Sequence, residues 1–248
     1  MDIETEVKSA NKAVYDNAEG VALLCHDISV THPEERKRIE RIIGGIFQGG
    51  GQKKFLDVGT GYGNALQIAK GYFEYSLGCD LNFYPLAALK KEHPSLPLVC
   101  CEAESLAFKN STFDCICLFS VLHHIVDYRK VLREAARVIR KGGYLYIDHE
   151  NNYYFTRYSQ GPLRFLMSST PKGREVMLAN FHAFMGKGMN PELIRQELVR
   201  LGFSDIKLEY RFTSRSYAFI VSLLRLISNI YPFKSCYTHF SIVAKKLI

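Results

Sequence analysis

The sequence predicts an α/β fold in which a mostly parallel β-sheet carries helices on both faces. Three observations predict it. Short, almost wholly apolar stretches alternate with longer amphipathic ones from about residue 53 to residue 150, and strands that apolar belong in a sheet covered on both faces. The stretch FLDVGTGYGN, residues 55–64, runs from an apolar strand into a glycine-rich turn, the kind of junction at which open α/β sheets bind nucleotides. With 248 residues, 47% of them apolar, the chain can bury the core of one large domain.

In chain order, THPEERKRIERIIGGIF (31–47) reads as a helix. Thr31 caps it, Glu34 follows three residues on, and Ile39, Ile42, Ile43 and Ile46 make its apolar stripe before the glycines at 49–51 end it. KKFLDVG is a strand and NALQIAKGY a helix. EYSLGCD is a strand ending in Asp80, YPLAALKKEH a helix, and LPLVCCE and FDCICLFS two further strands. YRKVLREAARVIRKGG is a helix with apolar positions 131, 132, 135, 138 and 139, closed by its glycines, and GYLYIDHE is the next strand. Right-handed crossovers set the strand C-termini along one edge, so Asp57, Asp80, Glu102, Ser120 and Asp148–Glu150 converge on one crevice.

After residue 150 the pattern loosens. NNYYFTRYSQGPLRFLMSSTPKGREVM mixes aromatics, bases and turn residues and predicts short inserted helices. NPELIRQELVRLGF is a helix with Asn190 as cap, Pro191 in its first turn and Gly202 as stop. SDIKLEYRF and YTHFSIVAKKLI are closing strands. The apolar run YAFIVSLLRLISNIYPF (217–233), broken by Arg225 and closed by Pro232, is too short to span a bilayer. It packs on the sheet, or else rests on a membrane surface or shields a lipid substrate.

Composition narrows the class. No apolar run reaches spanning length, and the polar opening MDIETEVKSANK is not a secretory signal. The seven cysteines form no C-x-x-C pair and sit mostly in strand-like segments, which predicts buried thiols in a reducing cytoplasm. No cysteine or histidine set has ligand spacing, so no metal site is expected. Residues 1–150 carry 18 Lys and Arg against 20 Asp and Glu, whereas residues 151–248 carry 14 against 5. That asymmetry points either to an acidic partner or to a solvated basic surface.

The turn itself discriminates between cofactors. A dinucleotide fingerprint needs a small residue where Asn64 stands. Asp57, ending the strand just before the turn, would repel a pyrophosphate and attract a cation. Asp80, 19 residues after Gly61, suits the two hydroxyls of a ribose in either case.

FLDVGTGYGN, GCDLN, CCEAESLAF, FDCICLFSVLHHI and LREAARVIRKGGYLYI resemble, in order and spacing, the successive motifs of class I S-adenosylmethionine-dependent methyltransferases. The resemblance covers roughly residues 50–150, with a weaker echo in NPELIRQELVRLGF, and is nearest to the small-molecule branch that includes quinone and glycan methyltransferases. It implies a Rossmann-like, seven-stranded sheet with a small inserted cap, all in one domain. Residues 1–48 would be an N-terminal helical lid, 49–150 the cofactor-binding core, 151–189 the substrate cap, and 190–248 the closing helices and strands. It implies S-adenosyl-L-methionine as cofactor, S-adenosyl-L-homocysteine as product, and in-line O- or C-methylation of a small molecule.

By that resemblance Gly59 and Gly61 line the methionine portion, with Thr60 and Tyr62 of the same turn near the cofactor, and Asp57 faces its ammonium. Asp80 and Leu81 hold the ribose, Glu102 and Ala103 bracket the adenine, and Ser120 and Val121 border the methionine end. Glu102 stands where Asp is commoner and Ala107 where Pro is commoner. Tyr15 is either the aromatic of that lid or a core tyrosine. His123 and His124 follow the fourth strand, which makes them candidate bases, and His149 and Glu150 end the fifth, where they could bind or deprotonate an acceptor. The first two serve equally as a cap or loop support. His182 reads as a surface histidine by default, or else as one that reaches in from the insertion, and His26, His32, His93 and His239 have no supporting context.

The aromatics of 151–189, interleaved with Arg157 and Arg164, suit an acceptor with a hydrophobic body and an anionic group. They would also suit RNA bases or a small satellite core. An RNA methyltransferase is disfavoured because no RNA-binding module and no Asn/Asp-Pro-Pro-aromatic motif is present. Asp57 and Asn64 argue against an NAD-dependent oxidoreductase, and the intact site residues argue against a non-catalytic cofactor-binding or membrane-surface module.

Overall fold

Parallel strands need crossovers, and the amphipathic segments between them supply helices of the right length to make them. The computed structural model describes residues 2–25, 33–48, 53–159, 165, 167–186, 188–212, 234 and 237–247. The expected cap at Thr31, the glycines at 49–51 and the apolar run 217–233 lie outside the described residues.

The strands are β1 (Lys54–Val58), β2 (Tyr75–Asp80), β3 (Leu98–Cys100), β4 (Phe113–Phe119), β5 (Ile139–Asn151), β6 (Phe203–Arg211) and β7 (His239–Lys246). They form one seven-stranded sheet in the order β3–β2–β1–β4–β5–β7–β6. The first five are mutually parallel, and β7 runs antiparallel to both of its neighbours.

The helices are α1 (Ile3–Tyr15), α2 (Ala18–Cys25), α3 (Pro33–Gln48), α4 (Asn64–Ala69), α5 (Phe83–Glu92) and α6 (Tyr128–Val138). They continue as α7 (Tyr153–Ser159), α8 (Pro171–Ala179), α9 (Phe181–Phe184) and α10 (Pro191–Arg200). The short helices expected after residue 150 are therefore present as α7, α8 and α9.

Alternation along the strands splits the core in two. On β4, Ile116 and Leu118 join the apolar cluster that α6 and α10 cover, while Cys115 and Cys117 join the one that α3 and α4 cover. Burial pushes both thiols up in pKa, so they behave as small hydrophobes. Asn190 caps α10 by accepting the N–H of Glu192, Pro191 opens the helix, and Gly202 at φ 82° follows it. Among the described residues no helix is long and apolar enough to cross a membrane.

One boundary differs from the expectation. The helix thought to run to the glycines stops at Val138, and Ile139 already pairs with Phe113 in the sheet. Asp114 supplies the reason. Its carboxylate accepts the N–H groups of Lys53 (2.7 Å) and Lys54 (2.6 Å) and pairs with the Arg140 guanidinium. That pairing draws the segment after Val138 into β5. A bulge between Phe113 and Cys115, with Gly142 at φ 80°, absorbs the extra residues.

Ile43 on α3 is fully buried against the sheet. Its replacement by alanine should lower stability by about 2–5 kcal/mol, read as a fall in the urea midpoint with the slope of the transition unchanged.

Candidate active site

A cleft of about 400 Å³ opens at the C-terminal edge of the sheet, over β1, β2 and β4, with α1 along its rim. It collects nearly all the residues singled out in the sequence. Tyr15, Asp57, Gly59, Thr60, Gly61 and Tyr62 line it, as do Asp80, Leu81, Glu102, Ala103, Ser120, Val121, His123 and His124.

The glycine turn is built for close approach. Gly59 has φ 68°, and a Cβ there would come within 2.6 Å of Val121 Cγ2. Only glycine combines that backbone with that contact. Beneath it Asp57 is 2% exposed. Thr60 Oγ1 donates to its Oδ2 at 2.7 Å, whereas its Oδ1 has no hydrogen-bond partner. Burial raises this carboxyl to about 7, against the opposing pull of the Thr60 hydroxyl.

Asp80 accepts the N–H of Gly61 on Oδ2 and of Asn82 on Oδ1, both at 2.8 Å. Burial raises its pKa as well. Each of its oxygens keeps a second acceptor site. An orphaned buried carboxylate oxygen suits an ammonium, and a carboxylate with two free acceptor positions suits vicinal hydroxyls. The donor set therefore fits S-adenosylmethionine and is hostile to a pyrophosphate.

The turn after β4 forms the opposite wall. Ser120 adopts φ 60° and donates its N–H to Asp148 O at 2.8 Å. A 3-10 turn over Leu122–His124 follows. Glu150, fully buried, accepts from Val121 N (2.9 Å) and Leu122 N (2.8 Å) on Oε1. On Oε2 it accepts from His123 N (3.1 Å) and lies 2.9 Å from His123 Nδ1.

His124 packs against His123 at a 40° tilt with centroids 4.0 Å apart, and its Nδ1 donates to Ala179 O at 2.6 Å. Burial, with His123 beside it, pushes His124 down to about 3. His182 docks the inserted helices to the same loop by donating from Nε2 to Val126 O at 3.1 Å. It is not part of the cleft wall.

The structure does not bring His149 into the cleft. Its ring is 4% exposed and stacks on Phe119 at 4.4 Å, with Nδ1 3.1 Å from Arg211 Nη2. The backbone explains this. The β5–β7 register shifts between Ile147 and Glu150, and His149 takes φ 58° within that irregularity. Neighbouring Asp148 is likewise structural. Arg38 Nη2 (2.5 Å), Arg211 Nη2 (3.2 Å) and the Tyr146 hydroxyl surround it. Against burial, which raises it, His149, Arg38 and the Tyr146 hydroxyl hold its pKa down.

Sequence reasoning missed part of the rim. Lys8 on α1 pairs with Glu102 (2.6 Å) and Glu104 (3.4 Å), so Glu102 engages the helix above it. Asn11 accepts from Asn82 Nδ2 at 3.0 Å. Asn180 meets the Tyr15 hydroxyl at 3.2–3.3 Å, while the Tyr15 ring stands edge-on to His124 at 5.4 Å. Nothing local in the sequence marks Lys8, Asn11 or Asn180 as cleft residues.

Comparison with known proteins agrees with this geometry. The profile of a methyltransferase domain matches residues 56–147. A demethylmenaquinone methyltransferase of Corynebacterium urealyticum is 27% identical over 132 residues, 53% of this chain and 56% of that protein. A phthiotriol/phenolphthiotriol dimycocerosates methyltransferase of Mycobacterium tuberculosis is 35% identical over 107 residues, 41% of this chain and 40% of that protein. The chain thus spans about half the length of these relatives.

Two solved structures share the fold at lower identity. A Haemonchus contortus phospholethanolamine N-methyltransferase 2, in complex with phosphomonomethylethanolamine and S-adenosylhomocysteine, superposes with TM-score 0.66. It is 16% identical, over 98% of this chain and 60% of that one. A SAM-dependent methyltransferase from Archaeoglobus fulgidus gives TM-score 0.57 at 20% identity, over 85% of this chain and 92% of that one. The matched domain, the sheet order and the carboxylate-bearing glycine turn agree: residues 56–147 carry a methyltransferase domain, set in a sheet with the fold of class I S-adenosylmethionine-dependent methyltransferases.

Proposed function

We propose that this protein methylates an apolar small molecule at a group that first loses a hydroxyl proton, with oxygen as the attacking atom. The observation that carries the reading is the Asp57 carboxylate, buried under the glycine turn with one oxygen unpartnered. S-adenosylmethionine, when bound, supplies an electrophilic methyl on a sulfonium and presents an ammonium to that oxygen. The chain's own work is to hold, align and exclude water. Asp57 and the turn would hold the amino-acid end, Asp80 the ribose, and Glu102 with Ala103 the base.

The acceptor would lie against Val7, Phe119, Val121, Ile125 and Val126, an apolar wall. Relatives named for demethylmenaquinone and for phthiotriol dimycocerosates support an apolar acceptor. His123 is the better base of the adjacent pair. His124 is tied to Ala179 through its Nδ1–H, and burial, which pushes it down to about 3, disfavours the cation it would have to become. His149 is walled off behind Phe119. Five free thiols among the described residues suit a reducing, cytoplasmic setting.

The test is incubation of the protein with methyl-labelled S-adenosylmethionine and extract of its source cells, with Asp57→Ala as control. Enzyme-dependent label should enter the organic phase. Label confined to RNA would sink the small-molecule reading, and label in polar metabolites would sink the apolar acceptor.

Asp57 also makes binding depend on pH. Below about 7 its carboxyl carries a proton that must leave before a cation can pair with it. Affinity for S-adenosylhomocysteine, whose amino group is cationic, should therefore fall as pH drops, approaching about tenfold per unit well below that value. Calorimetry at pH 6 and pH 8 should show this in the native protein and a flatter response in Asp57→Asn. His123→Gln should lower turnover about 10²–10⁴-fold while leaving the dissociation constant of S-adenosylhomocysteine nearly unchanged.

A further inference from the structure

Glu150 makes more bonds than a helix cap requires. Its four partners are three backbone N–H groups and one imidazole nitrogen. A backbone N–H can only donate, so three of the four contacts demand an acceptor. The site is satisfied by an ionised carboxylate and frustrated by a protonated one. His123 Nδ1 must then also donate, which leaves Nε2 with the lone pair. Nε2 has no hydrogen-bond partner among the described residues, and the ring lines the cleft. Capping a single 3-10 turn would use the N–H contacts alone. The bond to the ring is what a cap does not need.

We infer that Glu150 is the positioning residue of the site: by accepting from Nδ1 it fixes the tautomer and orientation of His123, so that Nε2 receives a proton from the acceptor hydroxyl. The inference rests on the methyltransferase reading above. In the step, the acceptor O–H bond breaks, its electron pair stays on oxygen and the proton goes to Nε2. The resulting imidazolium then faces the buried carboxylate across 2.9 Å, and a charge formed inside the fold has its partner already in place. The irregularity in β5 is what brings the carboxylate there. His149 at φ 58° turns the strand so that residue 150, rather than 149, meets the 121–123 backbone.

The consequence is an acceptor that enters with its reacting hydroxyl protonated. An acceptor already ionised, or a soft nucleophile such as a thiolate, would gain nothing from the pair.

The experiment is nitrogen-15 NMR of histidine-labelled protein, with Glu150→Gln and Glu150→Asp beside the wild type. Neutral His123 should carry its proton on Nδ1 in the wild type. In Glu150→Gln the new side-chain amide would instead donate to Nδ1, so the tautomer should invert to Nε2–H. Methyl transfer into the organic fraction should then fall by about 100-fold or more, with S-adenosylhomocysteine affinity within ~3-fold of wild type. Glu150→Asp, which keeps the charge at shorter reach, should restore the Nδ1–H tautomer and part of the rate.

Three outcomes would overturn the inference. One is an Nε2–H tautomer in a wild-type protein that transfers methyl. Another is Glu150→Gln retaining both tautomer and rate. The third is Glu150→Asp behaving no better than Glu150→Gln. A wild-type protein with the Nδ1–H tautomer that binds S-adenosylhomocysteine yet transfers no methyl to any extract fraction overturns the methyltransferase reading and the base role with it.

Discussion

The turn after β4 hangs on one buried carboxylate. Glu150 gathers the backbone of Val121, Leu122 and His123, and the placement of those residues propagates outward. Val121 packs where any side chain at position 59 would collide with it, so the two walls of the cleft are fitted to each other. His124, one residue further, is bonded to Ala179, and Asn180 beside it meets Tyr15. The glycine turn after β1, the helices α8 and α9, and α1 are therefore referenced to a single strand end. A carboxylate suits the task because it offers about four acceptor sites in a rigid fork. No backbone carbonyl could serve as many donors at once.

Two residues earlier on the same strand, Asp148 does a different job with the same chemistry. It binds guanidinium groups from α3 and β6 and so ties both to β5. Burying charge in this way is expensive unless every member is paired. Here Glu35 offsets the second arginine, at 3.0 Å from Arg38 and 3.1 Å from Arg211. Other bases of the C-terminal part are similarly engaged, Arg195 and Lys234 with Glu192 and Arg200 with Glu197. The positive excess there is thus partly internal ion pairing rather than a bare basic face.

What the sequence made legible is what is local. Asp57, Gly59, Gly61 and Asp80 stand directly at strand ends, and hydrophobic alternation locates strand ends well. The rim was not legible, because it is assembled from distant residues. Lys8 meets Glu102 across 94 positions and Tyr15 meets Asn180 across 165. The end of α6 was misplaced because Arg140 answers to Asp114, a partner outside the helix. His149 fitted the pattern of a strand-end base, yet a positive φ in a non-glycine residue leaves no mark in the sequence. The unusual backbone at Ser120, in the turn after β4, and at His149, on the neighbouring β5, lies beside the cleft, where such strain tends to gather.

The position of β7 has a consequence for how the molecule is made. It is inserted between β5 and β6, and among the described residues β6 has no other strand neighbour. A nascent chain extended through Arg211 would hold a long unpaired strand and a buried-to-be guanidinium with nowhere to go. Asp148 would meanwhile lack one of its two arginines. Only when residues 239–246 thread between the two strands do Leu145 and Ala244, or Leu208 and Ile242, come into register. Pairings that distant close slowly, because the loop entropy is lost before the contacts form. Assembly should therefore proceed in two stages, with the parallel half of the sheet forming early and β6 waiting on the last strand to join it.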